Sequence, residues 1–379
     1  MRPLSTGIVF VALFFLPLGA HAATFETGGW IPYWRSATGT QDVLPHINTL
    51  TTAHPFGYTV KNDGTLYDAL GIDAEPWTTF IHTAKLNKTR VIPSVMWSDG
   101  AAMHRILSNT TTRIALEDEI ANLVKEKGFD GIDIDFEGKW AETKDYFSTF
   151  LKGLYMRMGP KWVYCTIEPR TPISSRYEGA PPPGTGTYAN DYVQINKYCD
   201  RVQIMAYDQG SIDVKLNAAN EGPYVPVADP LWVEKVVNLA AKDIPKRKLI
   251  LGIPTYGYEY QVTPLSIEGY SYKMQWALNP EYALALAGQL GLVPQRNSAG
   301  ELSFTYLATT SPLYTSTAAA AGPALAAQNT GVLNIVWWSD ALSVMDKVTL
   351  AKKLGLRGVA VFKFDGGEDQ RIWNVLDAY

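Results

Sequence analysis

Cysteine is scarce in this chain of 379 residues, which contains only Cys165 and Cys199. Two cysteines cannot build the framework of a disulfide-rich domain, so the fold must depend on a hydrophobic core. Both lie near predicted neighbouring strands, where they would either pair in an oxidising compartment or remain as buried free thiols. The sequence leaves these two alternatives open.

The chain also lacks the short motifs of several common enzyme classes. Its five histidines do not have the spacing of metal ligands, and neither H-E-x-x-H nor G-x-S-x-G occurs. These absences disfavour zinc and serine hydrolases, and we expect no metal ion and no cofactor. The net charge of −4 shows no strong excess of either sign, so we expect no nucleic-acid partner and no binding to anionic membranes.

The one long apolar run is at the N-terminus, where Ile8–Leu18 follows Arg2 and precedes Gly19-Ala20-His21-Ala22. This order of a basic residue, an apolar core and small residues predicts a signal peptide over residues 1–22. A membrane anchor is disfavoured because the run is shorter than the roughly 20 residues that span a bilayer. We therefore expect a secreted protein, extracellular or periplasmic, without stable membrane insertion, and we expect a monomer.

The rest of the chain alternates short β-rich runs with longer amphipathic stretches. The predicted strands are Gly28–Tyr33, Asn48–Phe56, Arg90–Met96, Gly128–Glu137, Trp162–Glu168, Arg201–Tyr207, Leu249–Tyr256 and Gly358–Phe364. The clearest helical patterns are Ala115–Lys127, Ala141–Met158, Leu231–Lys242 and Ala341–Leu354. Eight strands that alternate with helices predict an α/β protein with a closed (β/α)₈ TIM barrel over residues 23–379.

Two connections are too long for simple loops. About 80 residues separate the seventh predicted strand from the helix before the eighth, and structureless loops of that length are rare in compact domains. We therefore predict a small inserted α+β subdomain over about 258–337, with a helix at Glu281–Leu290 and with Thr315–Ala327 as helix or flexible linker. A second insertion, Arg170–Tyr188, follows the fifth strand, so both insertions follow strand C-termini, where such barrels place their active sites.

The fourth predicted strand contains a regular series of carboxylates. Because side chains alternate along a strand, Asp133, Asp135 and Glu137 share one face, whereas Asp130 falls on the outer face and is assigned a structural role. In a barrel, the three carboxylates would stack inside toward the C-terminal mouth. Burying three acids costs several kcal/mol, and their coupling raises the pKa of an acid toward the working range. The alternative of an edge strand with acids facing water does not fit a central barrel strand, so the series predicts a catalytic acid.

The series D-x-x-D-x-D-x-E resembles the signature of glycoside hydrolase family 18, the chitinase family, whose (β/α)₈ barrel carries it at the end of the fourth strand. Three further segments are similar to family sequences, namely Gly29–Trp34, Met205–Asp208 and Trp338–Ser343 with Lys347. The resemblance covers nearly all of the chain after residue 23.

Two segments depart from the family pattern. The third strand keeps Ser94 but lacks S-x-G-G, and Phe362 stands where the family usually has the tryptophan beneath the −1 sugar. Phenylalanine stacks on less area, and Trp97 or Trp338 would compensate. Together with Phe56–Val60 and Asp63–Thr65, these departures make the chain similar to bacterial members that act on glucosaminyl bonds of the cell wall or the spore cortex.

The resemblance implies a retaining, substrate-assisted hydrolysis of β-1,4 bonds next to N-acetylglucosamine. Glu137 would protonate the leaving oxygen, and Asp135 would orient the acetamido group of the −1 sugar. Asp133 would share a proton with Asp135, while Tyr207 would donate to the acetamido oxygen. Further candidates for contact with the polysaccharide are Asp208, Met205, Trp30, Trp34, Trp97, Tyr256, Trp338 and Phe362.

Two other functions remain open on the same barrel. One is a non-catalytic, lectin-like oligosaccharide-binding protein, although such relatives usually lose the acid that stands here as Glu137. The other is a glycosidase that uses two carboxylates, with Glu168 as the second acid. The sequence does not distinguish between chitin, peptidoglycan and the core of an N-glycan as the polymer. It also does not distinguish between endo and exo action.

Overall fold

The computed structural model describes residues 24–220, 222–265, 269–307 and 332–378. The predicted signal peptide and the Thr315–Ala327 stretch lie outside these residues. Within the described ranges, no helix is long and apolar enough to cross a membrane.

The described strands and helices alternate along most of the chain. The strands are β1 Glu26–Pro32, β2 Thr52–Val60, β3 Leu66–Asp68, β4 Arg90–Val91, β5 Ser94–Trp97, β6 Gly131–Phe136, β7 Trp162–Ile167, β8 Arg201–Ile204, β9 Leu249–Pro254, β10 Gly257–Pro264, β11 Tyr270–Leu278, β12 Gln295–Arg296, β13 Leu302–Leu307, β14 Leu333–Trp338 and β15 Gly358–Phe362. The α-helices are α1 Ser36–Val43, α2 Trp77–Leu86, α3 Gly100–Ser108, α4 Thr110–Lys127, α5 Lys144–Met158, α6 Tyr192–Tyr198, α7 Val214–Ala218, α8 Pro230–Ala240, α9 Pro280–Gln289, α10 Ala341–Leu354 and α11 Ile372–Asp377.

Eight parallel strands close into a barrel in the order β1-β2-β5-β6-β7-β8-β9-β15, and β15 pairs back with β1. The short β4 precedes β5 and pairs with β2. The predicted (β/α)₈ fold is therefore confirmed. The second strand begins later than predicted, at Thr52, because Leu44–Thr49 forms a 3-10 helix with a proline in its first turn.

The alternation of side chains along β6 separates the barrel interior from the surrounding helices. All six residues of this strand are buried. Phe136 faces outward and stacks on Phe150 of α5, with ring centroids 5.3 Å apart. Asp133 instead points inward and contacts side chains of β1, β5 and β7. The outer face of the strand thus builds the apolar layer between sheet and helices, while the inner face carries carboxylates.

A second sheet follows β9 and consists of antiparallel strands in the order β11-β10-β14-β13-β12. Glu301, beside β13, is fully buried and accepts hydrogen bonds from the backbone N–H groups of Val227 and Ala228. The ammonium group of Lys347 in α10 lies 3.8 Å from the same carboxylate. These contacts join the second sheet to barrel elements. The exact division into a barrel and an inserted subdomain stays a prediction.

Cys165 of β7 and Cys199 after α6 form a disulfide bond, with their Cα atoms 5.9 Å apart. Both residues are almost fully buried between the barrel wall and the helical layer. Of the two alternatives that the sequence left open, the structure has the paired form.

We expect the double variant Cys165→Ala/Cys199→Ala to lose about 3–4 kcal/mol of unfolding free energy, since the bond closes a loop of 34 residues in the unfolded chain. Urea denaturation of the oxidised wild type and the variant measures the difference. As a control, reductant should lower the stability of the wild type and leave the variant unchanged. Equal stability of the oxidised and reduced wild type would contradict the prediction.

Candidate active site

The carboxylates of β6 stand at the C-terminal mouth of the barrel. Glu137 directly follows the strand, and its backbone N–H donates to the carbonyl oxygen of Trp97 at the end of β5, 2.8 Å away. This bond extends the parallel pairing by one residue. It therefore fixes the point at which the Glu137 side chain leaves the barrel wall.

Asp133 lies deepest and is fully buried. One of its oxygens accepts hydrogen bonds from Ser94 Oγ at 2.5 Å and Trp30 Nε1 at 3.1 Å, and the other accepts from Thr166 Oγ1 at 2.8 Å. Three side-chain donors, two from the adjacent strands β5 and β7 and one from β1, thus offset the loss of water around this carboxyl group.

Asp135, one pleat higher, is in a different environment. Its side chain is 3% exposed, and its Oδ1 atom is buried without a hydrogen-bond partner among the described residues. Burial, followed by the nearby charges of Glu137 and Asp133, raises the pKa of Asp135 well above its usual range. An unsatisfied buried oxygen is costly, so this position is suited to bind a donor that a ligand brings.

Glu137 is partly exposed to the cleft. Burial and then the charge of Glu168 raise the pKa of Glu137, whereas the ammonium group of Lys139 opposes the shift. A carboxyl group with a raised pKa keeps its proton closer to neutral pH, as a general acid requires.

An aromatic wall faces these carboxylates. The ring of Tyr207, just after β8, stacks on Phe362 with centroids 5.6 Å apart and planes 20° apart. Tyr256 packs edge-on against both rings. Burial, together with nearby carboxylates of which Asp135 contributes most, raises the pKa of Tyr207, so its hydroxyl keeps its proton. The wall thus combines an apolar surface with a hydroxyl donor.

Asp208 stands beside this wall in a left-handed backbone conformation, with a φ of 59°. Its Oδ1 atom accepts hydrogen bonds from the hydroxyls of Tyr256 at 2.5 Å and Tyr258 at 2.6 Å. The side chain reaches solvent, but the surrounding walls still raise its pKa by desolvation, and the two hydroxyls oppose that rise.

A cavity of about 490 Å³ opens next to Phe362 and Asp208. Trp34, half exposed, forms one side of the cavity and packs edge-on against Phe56. The cavity is also lined by Arg35, Tyr256, Tyr258, Asn279, Lys363 and Asp365. An exposed indole face beside hydrogen-bonding groups is suited to hold a sugar ring.

Other aromatic candidates are not accessible from the cleft. Trp30, Trp97 and Trp338 are each at most 3% exposed, so their rings present no surface on which a sugar could stack. Trp30 lies beneath the site and supports Asp133, while Trp338 packs against Phe304 of the second sheet. Met205 is also buried, at 9% exposure. The structure therefore brings Trp34, Tyr256, Phe362 and Asp208 together around the cavity, where Tyr256 is itself only 6% exposed, and it encloses Met205 and the three other tryptophans.

The profile of glycosyl hydrolases family 18 matches residues 30–367. The chain belongs to this family. Membership identifies the chain as a glycoside hydrolase and agrees with the position of the carboxylate series at the end of the fourth barrel strand.

Curated relatives and solved structures agree with this assignment. The uncharacterized glycosylase YvbX of Bacillus subtilis is 24% identical over 338 residues, which cover 87% of this chain and 86% of that protein. The spore cortex-lytic enzyme SleL of Bacillus megaterium superimposes with a TM-score of 0.68 at 23% identity, over 93% of this chain and 73% of that one. A class V chitinase from Pseudomonas fluorescens gives a TM-score of 0.69 at 20% identity, over 94% and 99%. At these identities the structural likenesses show a shared fold.

Beside the carboxylate series lies an ion pair, Lys139 with Glu168, that was not predicted from the sequence. Lys139, two residues after Glu137, turns back into the protein, and its side chain is only 2% exposed. Its Nζ atom lies 3.5 Å from Glu168, which sequence reasoning named only as the second acid of a different mechanism. In the sequence, Lys139 closely follows the acids of β6, which could have suggested a contact between them. The direction of its side chain, however, depends on the turn at Gly138, which the sequence does not specify.

Among the described residues, no group of three or more histidine, cysteine, aspartate or glutamate side chains is arranged to hold a metal ion. The arrangement at the mouth of the barrel consists of carboxyl groups, tyrosine hydroxyls and aromatic faces. Such a set can transfer protons and bind a sugar.

Proposed function

We propose that this family 18 protein hydrolyses β-1,4 glycosidic bonds next to N-acetylglucosamine by a retaining, substrate-assisted mechanism. The observation that carries the proposal is the pairing of two adjacent acids: Asp135 with a buried, unpartnered oxygen, and Glu137 at the open end of the same strand. The first is suited to accept an N–H group from the substrate, and the second is suited to protonate a leaving group.

In the first step, the acetamido carbonyl oxygen of the −1 sugar attacks its own anomeric carbon. The bond to the leaving oxygen breaks, and Glu137 transfers its proton to that oxygen. Asp135 accepts the acetamido N–H, which orients the carbonyl and offsets the positive charge of the oxazolinium intermediate. In the second step, Glu137 takes a proton from water as the water opens the ring, which restores both the acid and the original anomeric configuration.

The surrounding residues hold the −1 sugar in place for this reaction. We assign Tyr207 as a donor to the acetamido oxygen, because its raised pKa keeps the hydroxyl protonated. Phe362 provides an apolar floor beneath the ring, and Asp208 contacts a hydroxyl of the sugar. Trp34 binds a further sugar unit in the adjoining cavity.

For Asp133 we propose that it supports Asp135 already before the substrate reacts. Its two oxygens are occupied by donors from Trp30, Ser94 and Thr166. It would stabilise the protonated form of Asp135 as a neighbouring negative charge, and it would share that proton when Asp135 turns inward.

Two observations favour a bacterial cell-wall glycan among the candidate polymers. The departures from the family pattern at the third and last strands, together with Phe56–Val60 and Asp63–Thr65, resemble members that act on such glycans. SleL is described as a spore cortex-lytic enzyme. The N-terminal sequence supports export of the protein to the compartment that holds such a substrate.

The test is to incubate the protein lacking residues 1–22 with chitooligosaccharides, peptidoglycan and cello-oligosaccharides, and to analyse the products by mass spectrometry. We expect cleavage of at least one of the first two substrates and none of the third, since glucosyl units lack the acetamido group. Efficient cleavage of cello-oligosaccharides would exclude substrate assistance. Binding of oligosaccharides without any products would indicate the lectin-like alternative.

A thiazoline mimic of the oxazolinium intermediate distinguishes the proposed mechanism from that of a glycosidase with two catalytic carboxylates. It should inhibit a substrate-assisted enzyme, whereas a glycosidase with a carboxylate nucleophile should not respond. Both mechanisms retain the anomeric configuration, so product stereochemistry does not distinguish them.

A further inference from the structure

Lys139 and Glu168 form an ion pair beside Glu137, called here the Lys139–Glu168 pair. Lys139 Nζ donates a hydrogen bond to the carbonyl oxygen of Phe136, which belongs to the peptide group on the N-terminal side of Glu137. Glu168 Oε1 accepts a hydrogen bond, 3.0 Å long, from the N–H of Gly138, which belongs to the peptide group on its C-terminal side. Each member of the pair therefore holds one of the two peptide groups that flank Glu137.

The pair is itself held from outside. Asn190 Nδ2 donates to Glu168 Oε2 at 2.5 Å, and this asparagine is 5% exposed. The Lys139 ammonium group lies 4.9 Å from the ring centroid of Phe147 in α5. A lysine side chain enclosed in this way loses much of its hydration, which costs free energy unless nearby groups stabilise the charge. The nearby groups here are the carboxyl groups of Glu168, Asp135 and Glu137, so they can stabilise the ammonium group.

We propose that the Lys139–Glu168 pair is a positioning pair that fixes the main chain on both sides of Glu137 and balances the charge around its carboxyl group. This inference rests on the proposed function, in which Glu137 is the acid. The two members would act through Glu137 and would not themselves transfer a proton to the substrate.

The charge balance follows from the groups that face Glu137. They are Asp135 on its own strand, Lys139 in the following turn, Glu168 after β7, and Tyr207 and Asp208 after β8. Lys139 is the one cation of this set, so its loss would leave only groups that disfavour the ionised form of Glu137. Loss of the Glu168 charge would have the opposite effect. The two members should therefore displace the titration of Glu137 in opposite directions.

The test is the pH dependence of kcat for Lys139→Met, Glu168→Gln and the double variant. A general acid works in its protonated form, so activity falls as pH rises through its pKa. We expect the alkaline limb to move up by about one pH unit in Lys139→Met and down by a similar amount in Glu168→Gln. In the double variant the two displacements should largely cancel. A smaller kcat with an unchanged KM should accompany them, since the proposal gives neither residue a contact with the substrate.

Matched controls come from ion pairs on the outside of the barrel. Lys127→Met breaks the pair with Asp73, and Asp118→Asn breaks the pair with Arg157, and neither should move the limb. An unmoved limb in both cleft variants, or displacement of both in one direction, would overturn the inference. If Lys139→Met does not fold, Glu168→Gln alone decides, because a merely structural contact would leave its limb in place.

Failure of this inference can be told apart from failure of the proposed function. An inactive Glu137→Gln variant combined with unmoved limbs in the pair variants refutes only the role of the pair. An active Glu137→Gln variant refutes the proposed function itself.

Discussion

Replacement of Glu137 by glutamine is expected to lower kcat on chitooligosaccharides or peptidoglycan fragments about 10²- to 10⁴-fold. Glutamine has nearly the same shape and can keep the contacts of the turn, but it has no acidic proton for the leaving oxygen. It also cannot take a proton from water in the second step. The fold should survive, because Glu137 is only partly buried and the substitution removes a charge that burial disfavours.

The size of the loss should depend on the leaving group. An aryl glycoside with an acidic phenol needs little protonation, so Glu137→Gln should lose less activity on this substrate than on an oligosaccharide. Glu126→Gln, on the exposed face of α4, is the matched control and should keep wild-type activity. Turnover of oligosaccharides near the wild-type rate in Glu137→Gln would remove Glu137 from the role of acid.

Replacement of Asp135 by asparagine should lower kcat by about 10²-fold, with a smaller effect on substrate affinity. The unpartnered Oδ1 atom of Asp135 is the acceptor that we assign to the acetamido N–H. An amide is neutral, so it cannot offset the positive charge of the intermediate. Because this electrostatic interaction is made mainly in the transition state, its loss lowers kcat more than it weakens substrate binding.

The same substitution should stabilise the folded protein at neutral pH. Burial raises the pKa of Asp135 well above that of the unfolded chain, so the native state binds this proton more tightly. The associated stability is fully present below the unfolded pKa and is lost as pH rises toward the folded pKa. Asparagine does not titrate, so the melting temperature of Asp135→Asn should exceed that of the wild type by a margin that grows with pH over this interval. Lower activity together with lower stability would contradict this account of Asp135.

Local periodicity was sufficient to predict much of the fold and the centre of the site. Alternation along β6 places Ile132 and Phe136 against the helices and Asp133 inside, because a strand has only two faces and a barrel buries both. The count of eight strands and their alternation with helices likewise predicted closure of the barrel, since the apolar face of each strand needs a covering helix. These features depend on neighbours in sequence, so they can be read without coordinates.

Contacts between distant residues needed the tertiary structure. The sequence offered Trp30, Trp34, Trp97 and Trp338 as candidates for sugar contact, and the folded chain shows that Trp34 alone among them is exposed. Exposure depends on what other segments cover, which residue type does not specify. The pairing of Cys165 with Cys199 was also undecided until β7 and α6 were placed side by side.

Local spacing along the chain is sufficient to predict the barrel and the series of acids on one strand, and the resemblance of these motifs to known sequences indicates the family. The surroundings of each acid become visible in the folded chain: three donors at Asp133, an unpartnered oxygen at Asp135, and the Lys139–Glu168 pair beside Glu137. Spacing cannot predict these surroundings, because a pKa depends on burial and on charges within a few ångströms, and β7 brings Glu168 close to Glu137 although 31 positions separate them in the chain.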